Sequence, residues 1–194
     1  MTTDAAYRRR AWTFASVGAL CGLAWAAALR AYMVEITSVS IVEWWGTLVG
    51  ILLPGVITGA LLGLAWARGS SQRAAGIGWF ALAPLSFAVF PLLEPGAIAQ
   101  LVTDALGFGA VAVAVGAIAG GFALSGAGPL WARISCGVLA AAFVIALVAA
   151  SPLIRGDRLS LTEPRGVWVA LLVSSLVVLL MLATSIPFRF LRRA

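Results

Sequence analysis

Histidine and lysine are both absent from this 194-residue chain, and charge is scarce: 13 arginines and seven acids make up 10% of the residues. Without histidine there is no His-ligated metal or haem and no Ser-His or Cys-His dyad; without lysine there is no Schiff base. The two cysteines, Cys21 and Cys136, each lie in an apolar stretch, where a thiol behaves as a small hydrophobe and no disulfide is expected. Motifs that carry chemistry are missing as well. Ser125 stands in FALSGAG instead of GxSxG, no GxGD surrounds Asp104 or Asp157, and the stretch from Gly116 to Gly128 lacks the Lys-Ser/Thr ending of a phosphate loop. The chain is therefore read as no enzyme, with no cofactor and no metal. A pair of outer carboxylates doing proton chemistry is the one enzymatic alternative, and nothing sets a nucleophile beside it.

Apolar residues, by contrast, are abundant: 62% of the chain, with a mean hydropathy of +1.06. A soluble domain needs roughly 25% charged residues to cover its surface, so this is the composition of an integral membrane protein. The formal charge of +6 then reports topology, not a nucleic-acid surface, which would need a basic, aromatic face in water.

Six stretches reach the roughly 20 apolar residues that a spanning helix requires: Ala11–Met33, Trp45–Ala67, Ala74–Leu93, Leu106–Ser125, Leu130–Pro152 and Gly166–Pro187. The expectation is an all-α, single-domain bundle of six transmembrane helices. The first run follows Arg8, Arg9 and Arg10 but is too long for a signal-peptide core, so it is read as a retained helix. Arginine placement orients the chain with N- and C-termini cytoplasmic. Arg8, Arg9, Arg10, Arg68, Arg73, Arg133, Arg189, Arg192 and Arg193 then lie inside with Asp4, a net +8. Arg30, Arg155, Arg158 and Arg165 lie outside with the other six acids, a net −2. The tryptophans agree, since Trp12, Trp66, Trp79 and Trp131 fall at the inner boundary and Trp44, Trp45 and Trp168 at the outer. The outer segments Val34–Glu43, Glu94–Ala105 and Leu153–Arg165 hold most of the polar residues, and the Arg-Gly-Asp triplet of the last is read as a solvated turn.

An eight-residue repeat links the first two spans: GALCGLAW at Gly18–Trp25 and GALLGLAW at Gly59–Trp66 match at seven positions, 41 residues apart. Gly18 and Gly22, then Gly55, Gly59 and Gly63, then Gly116 and Gly120, recur at helical spacing, which lets helix backbones approach closely. Packing within the bundle is the favoured reading; a homo-oligomer face or docking to a larger membrane complex is the other. Pro54, Pro84 and Pro91 each remove a backbone donor. They either shape the bundle or mark a functional bend, for which Pro54-Gly55 is the best candidate.

Arg30 lies on the small-residue face of the first span, near its outer end, and an ionisable group there is a functional hypothesis unless it snorkels or sits in a structural ion pair. Glu35 is poorly placed to pair with it, because five residues turn a helix through about 140°. Glu43, Glu94 and Asp104 remain as partners across the bundle. Together with Trp44 these form a candidate outer site, suited to a cationic or zwitterionic small molecule or, through Arg30, to a carboxylate. A solvated rim without ligand is the competing reading.

The runs LAWAAALRAYM and VEWWGTLVGILLPG resemble a group of uncharacterised small multi-pass membrane proteins of high-GC Gram-positive bacteria, in which a similar Trp and Arg pattern ends the first helix. That resemblance covers the first third of the chain and implies membrane class and origin, without an activity. In size, helix count and small-residue spacing the chain is also similar to the substrate-binding components of energy-coupling-factor transporters, an architectural likeness without a shared ligand motif. The expected partners are thus the lipid bilayer, a small-molecule ligand and a larger membrane complex, and no nucleic acid. A transport-related protein is the first functional reading, and a non-catalytic accessory or assembly subunit the alternative.

Overall fold

A computed structural model describes residues 2–37, 44–71, 76–90 and 105–192. Among these there is no strand. The helical segments are α1 (Thr2–Ile36), α2 (Trp45–Ser70), α3 (Ile77–Val89), α4 (Ala105–Ser125), α5 (Leu130–Arg155) and α6 (Pro164–Leu191). Four of them, α1, α2, α5 and α6, are long and apolar enough to cross a membrane.

The burial pattern inverts that of a soluble protein. Leu20, Val138, Ile145, Leu171 and Leu179 are all more than half exposed, whereas Ala26, Ala65, Ala67, Ala114 and Ala117 are buried. Where lipid solvates large apolar side chains, helices gain by bringing backbones together over small residues. The α1–α2 contact shows this directly. A Cβ at Gly18 would strike the Gly59 carbonyl oxygen, one at Gly22 that of Gly55, and one at Gly63 that of Phe14. These contacts make α1 and α2 antiparallel, and exchanging the two helices, α1 residues moved forward and α2 residues back by the 41 positions of the repeat, maps Gly22–Gly55 onto Gly63–Phe14. The two copies are therefore partners across a local two-fold axis, and their near-identity reflects one shared steric demand.

The remaining contacts give alternating directions to all six segments. Glu35 pairs with Arg165 and the Trp25 indole N–H donates to the Leu176 carbonyl at 2.8 Å, so α6 runs antiparallel to α1. Thr58 and Arg68 of α2 meet Ser86 and Phe80 of α3. Along α4, Gly120 lies on Met181, Gly121 on Thr184 and Phe122 edge-on to Phe188, parallel to α6. The α5 ring of Phe143 fills the notch at Gly116, while Arg133 donates to the Ala123 carbonyl. Between α4 and α5 the chain reverses at Gly126, whose φ of +74° is a left-handed helix cap that glycine adopts without steric cost. The Ser125 hydroxyl braces the turn, donating to Phe122 O and accepting from the Ala127 N–H.

Two segments depart from the regular helices expected. The run Ala74–Leu93 is not a continuous α-helix: Ile77–Leu85 is 3₁₀-helical, Ser86–Val89 is α-helical, and residues 72–75 and 91–93 lie outside the described residues. Pro84 interrupts the hydrogen-bond ladder, and buried Ala81, Pro84 and Phe87 recur every third residue, which a 3₁₀-helix aligns on one face. In α2 the first eight residues, Trp45–Leu52, are π-helical, and the Leu53 N–H reaches the Leu48 carbonyl. Pro54 follows at once, and the wider π-turn makes room for a ring that would clash with the carbonyl four residues back. The irregularity thus lies before Pro54-Gly55. Gly55 itself belongs to the close α1 contact, where an added Cβ would lie 2.5 Å from that of Ala26.

Candidate functional site

The C-terminal end of α1 carries three polar ties, each to a different element. Arg30, half-buried, directs its Nε toward the Thr47 hydroxyl of α2 at 3.5 Å. Buried Tyr32 places its hydroxyl 3.5 Å from that of Ser151 on α5. Glu35, turned away from Arg30 as helix geometry requires, accepts from the Arg165 guanidinium at 2.7 Å. Trp44, four-fifths exposed, stands on the rim beside Trp45. Glu43, Glu94 and Asp104, together with Pro91, lie outside the described residues. The structure therefore brings Arg30 to α2, Tyr32 into the core, and Glu35 to the start of α6.

A cavity of about 670 Å³ lies elsewhere, in a groove lined chiefly by α1, α2 and α6. Phe14, Cys21 and Trp25 line it from α1, Thr58 and Trp66 from α2, and Leu176 and Ile186 from α6, with Phe87 of α3 at one end. Gly18, Gly22, Gly55, Gly59 and Gly63 form its floor, so the residues that let α1 and α2 touch also open the space beside them. Its aromatic ends are the matching tryptophans of the repeat: Trp25 meets Phe87 edge-on at 5.3 Å, and Trp66 meets Phe190 at 5.7 Å. The few polar groups on the wall are already engaged. Thr58 donates toward the Ala83 carbonyl and contacts the Ser86 hydroxyl at 2.7 Å, Ser86 reaches the Pro54 carbonyl, and the Trp25 N–H is taken by Leu176. A pocket of this volume falls in the range of small-molecule sites, and a wall whose hydroxyl and indole protons are engaged, leaving only the weakly polar Cys21 thiol, favours an apolar occupant.

Reasoning from residues alone missed this groove because its lining is spread over segments more than 100 positions apart. One signal was present. Trp25 is the tryptophan that the two interfacial sets leave over, and it sits about 20 Å along the helix from Trp12, deep in the bundle.

Inverted burial, small-residue contacts and four long apolar helices define a multi-pass helical membrane protein. Among known proteins, no family model, no curated sequence and no solved structure matches the chain.

Proposed function

We propose that this chain is a non-catalytic, transport-related protein of a bacterial cytoplasmic membrane, with six spans and both termini inside, which binds a small apolar molecule in the groove among α1, α2 and α6. The cavity of about 670 Å³ with its largely apolar wall is the observation that carries the binding. In this reading Arg30, Trp44, Glu43, Glu94 and Asp104 form a charged outer rim. Transport draws support from the repeat, since antiparallel copies about a local two-fold axis are the plan on which many transporters are built.

Six spans are favoured by the alternating directions of the segments and by their lengths. The rise of α4 is about 30 Å, the thickness of the hydrocarbon core. The 3₁₀ stretch extends α3 to about 24 Å from only 13 residues. Native mass spectrometry of gently purified protein tests the binding. A bound molecule should be retained by the natural chain and lost in Ala183→Trp, which fills the groove from a partly exposed wall position. An unchanged load in Ala183→Trp, with the fold confirmed by circular dichroism, overturns it.

A further inference from the structure

We infer that the occupant of the groove is one chain of an anionic phospholipid, anchored by its phosphate between Arg10 and Arg189; the inference rests on the groove being the binding site proposed above. From Phe14 to Trp25 the wall of α1 extends about 16 Å along the helix axis, which in a bilayer is the direction that acyl chains take. A polar ligand buried at this depth would give up its hydrogen bonds to water without replacement, because the hydroxyl of Thr58 and the N–H of Trp25 are already committed. Hydrocarbon loses nothing there.

Charge complementarity picks the headgroup. Arg10 lies over the ring of Phe14, itself a wall residue, with its guanidinium carbon 5.6 Å from the ring centre. On α6, Arg189 follows the lining residue Ile186 by three positions, just under one turn. The antiparallel register that joins Glu35 to Arg165 and Trp25 to Leu176 sets Arg10 and Arg189 at one level, about one turn beyond Phe14 and Ile186 at that end of the groove. Both are exposed. Arg68 shares that level but is directed to the other side, its guanidinium over Phe80 at 4.9 Å. Two guanidiniums at one end of a hydrocarbon slot match the phosphodiester of a phospholipid whose acyl chain fills that slot, since each presents a planar fork of donors to phosphate oxygens. A neutral headgroup offers no net charge to balance them.

The test is native mass spectrometry of the full chain in detergent, titrated with phosphatidylglycerol, phosphatidylcholine and glycerol phosphate. Phosphatidylglycerol should bind about tenfold or more tightly than phosphatidylcholine, and Arg10→Gln and Arg189→Gln should each weaken it about fivefold while leaving phosphatidylcholine unchanged. Ala183→Trp should weaken both lipids, and glycerol phosphate should not compete. Equal binding of the two lipids, both lost in Ala183→Trp, overturns the anionic headgroup and leaves the groove as a site. A phosphatidylglycerol preference that survives Arg10→Gln and Arg189→Gln combined overturns the assignment of the anchor. Full competition by glycerol phosphate, or lipid binding untouched by Ala183→Trp, places the ligand on the surface and removes both the inference and the groove reading. Thermal unfolding checks that each variant folds.

Discussion

Trp25 joins two helices through one atom, because its indole N–H is the donor that ties α1 to the Leu176 carbonyl of α6. The carbonyl belongs to a helix ladder, so losing the indole costs only the net value of a hydrogen bond. Trp25→Phe should lower unfolding stability by about 1 kcal/mol, measured by chemical denaturation in mixed micelles. Glu35 and Arg165 form a shorter contact, but their side chains are 30% and 57% exposed. Water and salt screen such a pair, and Glu35→Gln should cost no more than about 1 kcal/mol, with a smaller effect as ionic strength rises. Arg30, singled out by its place on the small-residue face, has its described contact on Thr47 of the neighbouring helix. Sequence spacing set Glu35 aside as its partner, yet could not show that Arg165, 130 residues away, takes that carboxylate.

At the scale of elements, stability is concentrated where backbones touch. The Gly59 site has the Gly18 carbonyl against it, so a leucine there forces α1 and α2 apart. Gly59→Leu should destabilise the bundle by about 3 kcal/mol or more, whereas Gly50→Ala, with open space around it, should stay within about 0.5 kcal/mol of the natural chain. Equal loss in both would show that the α1–α2 contact does not hold the fold. Thr58 is a second such point, linking α2 to α3 through Ala83 and Ser86. Thr58→Val keeps the shape and removes the hydroxyl, for an expected loss of about 0.6 to 1.7 kcal/mol, read by the same denaturation. The glycine spacing was legible in the sequence because period alone reveals it. The 3₁₀ course of α3 and the π-turns before Pro54 were not, since both depend on how neighbours accommodate a proline ring.

For the whole molecule, the sharpest prediction concerns α3. If α3 crosses, a tag inserted at 72–75 and one inserted at 91–104 are reached by impermeant reagents from opposite sides of the membrane; if it does not, both are reached from the same side. The six-span proposal requires opposite sides, with the first tag sharing the side of both termini. The aromatic and arginine levels give the frame. Between Trp168 and Arg189, α6 rises about 32 Å, close to the hydrocarbon thickness, and the exposed tryptophans Trp12, Trp79 and Trp131 lie toward the arginine-rich end.

Composition by itself determined that this chain belongs in a bilayer, because a surface with so few charges has nothing to offer water, and the length of its apolar runs determined that it is helical. Spacing likewise marked the glycines, since one face of a helix is a local property. Only the tertiary structure decided which faces meet. The repeat became a two-fold contact, and the groove arose where α6 lies beside that contact without filling it. A cavity is the space left between elements distant in the chain, so no local pattern encodes it. The walls were all visible as ordinary apolar residues; their convergence required the fold.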